Sequence, residues 1–167
     1  MKKNILLFIF CILLASCASK NEIYTEILCP KTYISTEHQK YFQLENNNYE
    51  DISYVVTINN FKNICKQKND ENISSILDIL FLVKPLKPDV KKFQFYYFVS
   101  ILDDNDKILD YQIFDIEDTF HIDKNKFPKV TEVINTLDQY FPIKNNNFYK
   151  IVIGLVLDKD KYNYINN

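Results

Sequence analysis

The chain has 167 residues, 47% hydrophobic and 15% aromatic, with a formal net charge of −2. It contains no arginine and one glycine. This excludes glycine-rich phosphate loops and argues against a nucleic-acid partner, because phosphate recognition relies on clustered lysine and bidentate arginine.

The N-terminal segment has the pattern of a lipoprotein signal peptide. Lys2 and Lys3 precede an apolar run over residues 5–14, and two small residues then lead into Cys17. The run is too short for a permanent transmembrane helix, which needs about 20 apolar residues. The sequence Leu-Ala-Ser-Cys at 14–17 resembles the bacterial lipobox, which implies cleavage before Cys17 and its diacylation. Cys17 is therefore the predicted membrane anchor.

This pattern divides the chain into a signal peptide at 1–16, a tether at 17–23 and a single domain at 24–167. Loss of Lys2 and Lys3 leaves 18 lysines against 22 acidic residues, a net charge of −4. An aspartate after the lipidated cysteine would resemble an inner-membrane retention signal, but this chain has Ala18 there. We therefore expect an outer-membrane lipoprotein that faces the periplasm.

The remaining cysteines predict a disulfide. Cys11 would leave with the signal peptide and Cys17 would carry lipid, so Cys29 and Cys65 remain. An even pair in an exported chain usually forms a bridge. Closing this loop would stabilise the fold by roughly 4 kcal/mol. A catalytic or metal-binding thiol would need a histidine or another thiol nearby.

Short apolar runs, separated by Asn, Asp, Lys and Pro, predict a series of strands along the domain. The first covers 27–34, begins near Cys29-Pro30 as an edge or a strand start, and continues through 41–44. Alternation from Ile52 predicts a half-buried strand that runs to Cys65, with a bulge at Asn59-Asn60. Further strands are predicted at 73–83, 93–102, 108–116 and 148–157, with a hairpin turn at 103–106.

Residues 129–141 fit two patterns. Val130, Val133, Ile134, Leu137 and Phe141 have helical spacing, but three of them also share a period-2 face with Asn135 and Gln139. We favour a strand, because the neighbouring strands need a partner sheet. Beyond the last strand, residues 158–164 predict a helical turn that Asp158 would cap.

These strands favour an all-β fold, an immunoglobulin- or fibronectin-like β-sandwich of about seven strands. The stretch from Phe141-Pro142 to Tyr149 resembles the corner of such domains, in which a Pro-containing loop precedes a strand with an early tyrosine. That tyrosine caps the corner through a backbone hydrogen bond.

From Cys29-Pro30 onward the chain resembles an uncharacterised family of alphaproteobacterial envelope lipoproteins. The resemblance rests on Cys29-Pro30, 58–65, 97–99, 114–116 and the segment from Ile153-Gly154 to Tyr162-Asn163. It implies that Cys29 and Cys65 belong together and that Gly154 is required. It implies a fold and a location but no activity, and this chain lacks the family's arginines and glycines.

The polar residues do not suggest catalysis or a cofactor. His121 with Glu117, Asp118 and Asp123 could touch a divalent cation, but a metal site needs three or four convergent ligands, so a solvated loop is favoured. The acidic turn at 103–106 lacks the glycine and distal glutamate of a calcium loop. No nucleophile triad or carboxylate pair stands out. We expect neither enzyme activity nor a bound metal.

Binding is therefore the predicted function. Tyr96 and Phe98 share one strand face, and Phe95 and Tyr97 share the other, so one pair is expected in the core and the other exposed. We predict an envelope lipoprotein that docks a protein partner through Tyr96, Phe98 and the acidic 118–128 loop, by a sheet face or an edge strand. The alternative is binding of a small ligand or glycan through exposed tyrosines.

Overall fold

In the computed structural model, residues 29–46, 48–69, 72–122, 127–142 and 149–166 are described. The predicted signal peptide, Cys17 and the tether lie outside these residues. None of the helices within the described ranges is long and apolar enough to cross a membrane.

The described residues form eight strands in two four-stranded sheets. Sheet 1 has the order β1-β8-β5-β6, and sheet 2 has the order β2-β3-β4-β7. The strands are β1 (Lys31–Ile34), β2 (Lys40–Glu45), β3 (Asn48–Asn69), β4 (Asn72–Pro85), β5 (Lys92–Leu102), β6 (Ile108–Thr119), β7 (Thr131–Pro142) and β8 (Lys150–Leu155). A 3₁₀ turn covers Thr36–His38, and helix α1 covers Lys159–Asn166. The prediction of a two-sheet, all-β fold is confirmed.

Alternating side chains build the core between the sheets. Phe81 of sheet 2 packs on Phe95 and Tyr97 of sheet 1, with ring centroids 5.1 and 4.9 Å apart. Asn135 Nδ2 donates to Tyr97 Oη across the core at 2.6 Å. The other fully buried apolar residues are Val56, Ile58, Leu77, Ile79, Val83, Phe93, Phe141, Ile151, Ile153 and Leu155. Burial at every second position is what a half-buried strand requires.

The ambiguous segment is a strand. β7 alternates between partly buried and exposed positions, and Val133 and Leu137 pack on the core beside buried Phe141. The period-2 interpretation is therefore confirmed. The predicted bulge is also confirmed, because the β3–β4 register shifts between Ile58 and Asn60.

The expected continuation of the first strand through 41–44 is wrong. β1 lies in sheet 1, parallel to β8, whereas β2 lies in sheet 2, antiparallel to β3. The 3₁₀ turn between them carries the chain from one sheet to the other, and Ser35 N–H bonds the carbonyl of Ile153 at 2.9 Å before the turn. This crossing gives eight strands instead of about seven.

The two ends of the sandwich differ. At the disulfide end, Cys29 is bonded to Cys65, and the turn that joins β5 to β6 lies at the same end of the sandwich. Tyr149 Oη donates to the carbonyl oxygen of Pro142 at 3.0 Å, so the predicted tyrosine bond is present. At the opposite end, here called the helix end, α1 begins after Asp158, whose Oδ1 accepts the N–H of Lys161 at 2.8 Å. Asp158 therefore caps the helix as predicted.

Candidate functional site

The alternation of β5 separates its aromatic residues into two pairs. Phe95 and Tyr97 are fully buried, whereas Tyr96 is 46% exposed and Phe98 is partly buried. The expected core pair is confirmed, but of the other pair only Tyr96 is exposed. Tyr96 Oη accepts a hydrogen bond from Gln94 Nε2 at 3.2 Å, which fixes the ring on the surface.

The Phe98 ring is held in place from below and from one side. It lies over Gly154, which pairs with it across the β5–β8 ladder. The His38 ring meets it edge to face at 5.4 Å, and Tyr162 of α1 packs against the far side of His38 at 5.3 Å. His38 Nδ1 donates to the carbonyl oxygen of Leu155 at 3.0 Å. These contacts hold Phe98 in a partly buried position on the outer face of sheet 1.

The neighbouring strand extends this surface, and sequence analysis did not identify its residues. Leu109, Tyr111 and Ile113 of β6 are 50%, 48% and 54% exposed. Tyr111 stacks on Phe98 with ring centroids 5.4 Å apart and an interplanar angle of 26°. We call Tyr96, Phe98, Leu109, Tyr111 and Ile113 the β5–β6 outer face. The sequence of β6 could have predicted this surface. Apolar residues occur at both its even-numbered and its odd-numbered positions, and only one of these two faces can pack on the core.

The 118–128 loop is only partly available as a binding surface. Phe120 is buried in the core, and its N–H donates to the carbonyl of Lys91 at 2.9 Å. Ile122 and Phe127 are exposed, at 47% each. Asp123 lies outside the described residues, and the described residues contain no cluster of three or more side chains that could hold a metal ion.

A cleft of about 290 Å³ opens between the edge strands β6 and β7. Its apolar lining comes from Ile101, Phe114 and Leu137. The polar residues that line it are Asp110, Gln112, Asp138, Gln139 and Tyr140. Gln139 Oε1 is buried and has no hydrogen-bond donor among the described residues. Buried polar atoms normally have a partner, so this oxygen is an unsatisfied acceptor in the wall of the cleft.

Tyr97 illustrates what burial does to ionisation in this core. Its hydroxyl lies between the sheets, and burial raises its pKa to about 12, although the bond from Asn135 opposes this rise. A neutral, hydrogen-bonded hydroxyl at this position joins the two sheets. It lies below the β5–β6 outer face and contributes rigidity to it.

Protein-family models, curated proteins and solved structures were compared with the chain, and none of them matched.

Proposed function

We propose that this protein is a non-catalytic, lipid-anchored envelope lipoprotein that binds a protein partner through the β5–β6 outer face. The observation that carries the proposal is the group of large apolar side chains exposed on a rigid sheet. Tyr96, Tyr111 and Ile113 are each about half exposed, and Phe98 is fixed by Gly154 and His38. Contiguous exposed apolar surface on a monomeric fold is characteristic of interaction sites.

The location of the face is compatible with a membrane anchor at Cys17. The disulfide end carries Cys29, which comes after the tether, so this end would face the membrane. Tyr96 is next to the helix end, since its carbonyl accepts the N–H of Val156 at 2.9 Å. The part of the face that carries Tyr96 would then point away from the lipid, towards the periplasm.

An immunoglobulin- or fibronectin-like ancestry is part of the proposal. Two observations support it: the chain forms two four-stranded sheets, and a tyrosine bonds a backbone carbonyl at the loop before the last strand. Membership of the alphaproteobacterial lipoprotein family is also part of the proposal. The resemblance implies that Gly154 is required, and the Phe98 ring, which lies over this residue and leaves no room for a side chain, supplies a physical reason.

A protein partner is favoured over a small ligand or glycan by the shape of the surfaces. The exposed tyrosines lie on an open sheet face, which suits a partner's flat surface. A drug-sized ligand usually occupies an enclosed site of about 300–1,000 Å³. The cleft between β6 and β7 is just below this range, at about 290 Å³, and an apolar groove of about 520 Å³ on sheet 2, lined by Val55, Leu82 and Val130, is open to solvent and not enclosed.

The anchor is tested by metabolic labelling with an acyl-chain analogue in the native host. The wild-type protein should become labelled, and Cys17→Ser should remain unlabelled and uncleaved. Labelling of the Cys17→Ser protein would contradict the assignment of the anchor.

The partner is tested by affinity purification of the lipidated protein followed by mass spectrometry. The test variant carries Tyr111→Lys and Ile113→Lys, and the matched control carries Ile64→Lys and Ile134→Lys on sheet 2, where these residues are 39% and 67% exposed and do not line the β6–β7 cleft. We expect the wild type and the control to retain the same envelope protein, and the test variant to lose it. Co-purification of a sugar or lipid in place of a protein would support the ligand alternative.

A further inference from the structure

We propose that the partner adds a strand to the free edge of β6 and places a lysine or arginine side chain in the cleft between β6 and β7. This inference rests on the proposed function and specifies the partner as an extended, basic segment. Two independent observations support it: the backbone of β6, which is open among the described residues, and the charge of the two edge strands.

The backbone of β6 is available for pairing. Hydrogen-bonded and non-bonded pairs alternate in an antiparallel ladder, and the N–H of Phe120 bonds the carbonyl of Lys91 in register with it. The even-numbered residues of β6 therefore bond β5, and the odd-numbered residues direct their N–H and C=O groups outward. The N–H of Tyr111 is taken by the Asp110 carboxylate at 2.9 Å. The outward groups of Ile113, Asp115 and Glu117 have no hydrogen-bond partner in the described part of the chain.

The charge of this side of the sandwich defines the partner. β6 contains Asp110, Asp115, Glu117 and Asp118 and has no basic residue, and β7 contains Glu132 and Asp138 and has none either. Like charges opposite each other destabilise a pair of strands. A second copy pairing through β6 would bring four carboxylates of each strand together, whereas a strand that carries lysine or arginine would complement them.

The cleft supplies a binding position for one of these basic side chains. A strand added to β6 continues sheet 1, so its inward side chains lie beside Gln112 and Phe114, over the cleft. There they meet Asp110 and Asp138, which line the cleft, and the Asp110 carboxylate also accepts the N–H of Tyr111 and Gln112 Nε2. A charged donor can pair with these carboxylates, and its alkyl stem can pack on Phe114 and Leu137.

The probe is a phage-displayed library of random eight-residue peptides, selected against the folded full chain. We expect selected peptides to carry lysine or arginine at alternating positions. Their Kd should rise at least tenfold for Asp110→Asn/Asp138→Asn. The matched control, Glu50→Gln/Asp89→Asn, loses the same charge at exposed positions away from β6, β7 and the cleft and should bind as the wild type does.

Backbone exchange distinguishes strand addition from simple electrostatic attraction. With a selected peptide bound, the amides of Ile113, Asp115 and Glu117 should exchange more slowly by NMR, because these N–H groups point to the added strand. Failure to select any peptide, selected peptides without basic residues, or unchanged exchange at these amides would overturn the inference. If Asp110→Asn/Asp138→Asn still captures the same envelope partner as the wild type, the proposed function stands and the strand addition is wrong.

Discussion

The ring of Phe98 occupies the space that a side chain at position 154 would need. A Cβ built on Gly154 would lie 2.5 Å from Phe98 Cε1 and 2.7 Å from His38 Cβ. Gly154→Ala must therefore displace the ring or the His38 segment. We expect a loss of about 1–3 kcal/mol in the free energy of unfolding, as at other over-packed positions, measured by urea denaturation.

A double-mutant cycle tests whether the Phe98 ring is the group with which a side chain at position 154 would clash. Phe98→Ala removes the ring, so Gly154→Ala should cost at least about 1 kcal/mol less in that background. Equal costs in the two backgrounds would show that the Phe98 ring is not what position 154 must avoid.

The Cys29–Cys65 disulfide joins β3 to the start of β1 across a sequence separation of 36 residues. In the chain-entropy model, removal of a bridge that closes such a loop destabilises a protein by roughly 4 kcal/mol. We expect Cys29→Ser/Cys65→Ser to lose most of this amount in urea denaturation, and reduction of the wild type to have a similar effect. A variant as stable as the oxidised wild type would contradict the expected contribution.

The Tyr149 hydroxyl fixes the corner before β8. Its bond to the Pro142 carbonyl is exposed at 3.0 Å, and a bond of this kind contributes about 1 kcal/mol. Tyr149→Phe should therefore lower stability by about that amount. Tyr33→Phe is the control, because the Tyr33 hydroxyl makes no hydrogen bond to the described residues and its ring is 46% exposed. Equal effects of the two substitutions would show that the corner bond does not stabilise the fold.

We expect the free energy of unfolding to fall at alkaline pH because of the buried Tyr97 hydroxyl. Burial raises its pKa from 10.0 to about 12 in the folded protein. Its contribution to stability is complete below pH 10 and is lost between pH 10 and about 12, because the unfolded chain ionises first in this range. Tyr97→Phe should therefore reduce the slope of unfolding free energy against pH above pH 10. An unchanged slope would show that Tyr97 does not titrate as expected.

Features that depend on local alternation were the most predictable from the sequence. Tyr97 and Phe95 were placed in the core by the period of β5, and Val133, Leu137 and Phe141 fit a strand in the same way. The bond from Tyr149 was predictable because both partners lie within one corner of the chain. Each of these predictions needed only the period of one strand or one short loop.

The remaining features depend on which strands become neighbours. The separation of β1 from β2 results from pairing of Ile34 with Ile153, far along the sequence. The exposure of Tyr111 results from the position of β6 at the edge of sheet 1, which its own sequence does not determine. The unpaired Gln139 Oε1 lies in a cleft between two strands of different sheets. The pattern of a single strand does not predict which polar atoms are buried between two sheets.

Photocrosslinking in intact cells tests the proposed docking surface most directly. A benzophenone amino acid is placed at Tyr111 or, in a matched control, at Ile134 of β7, whose side chains are 48% and 67% exposed. We predict that position 111 of the lipidated protein gives a covalent adduct with an envelope protein and that position 134, which does not line the β6–β7 cleft, does not. An adduct formed at 134 and absent at 111, or no adduct at 111 in correctly anchored protein, would contradict docking through the β5–β6 outer face.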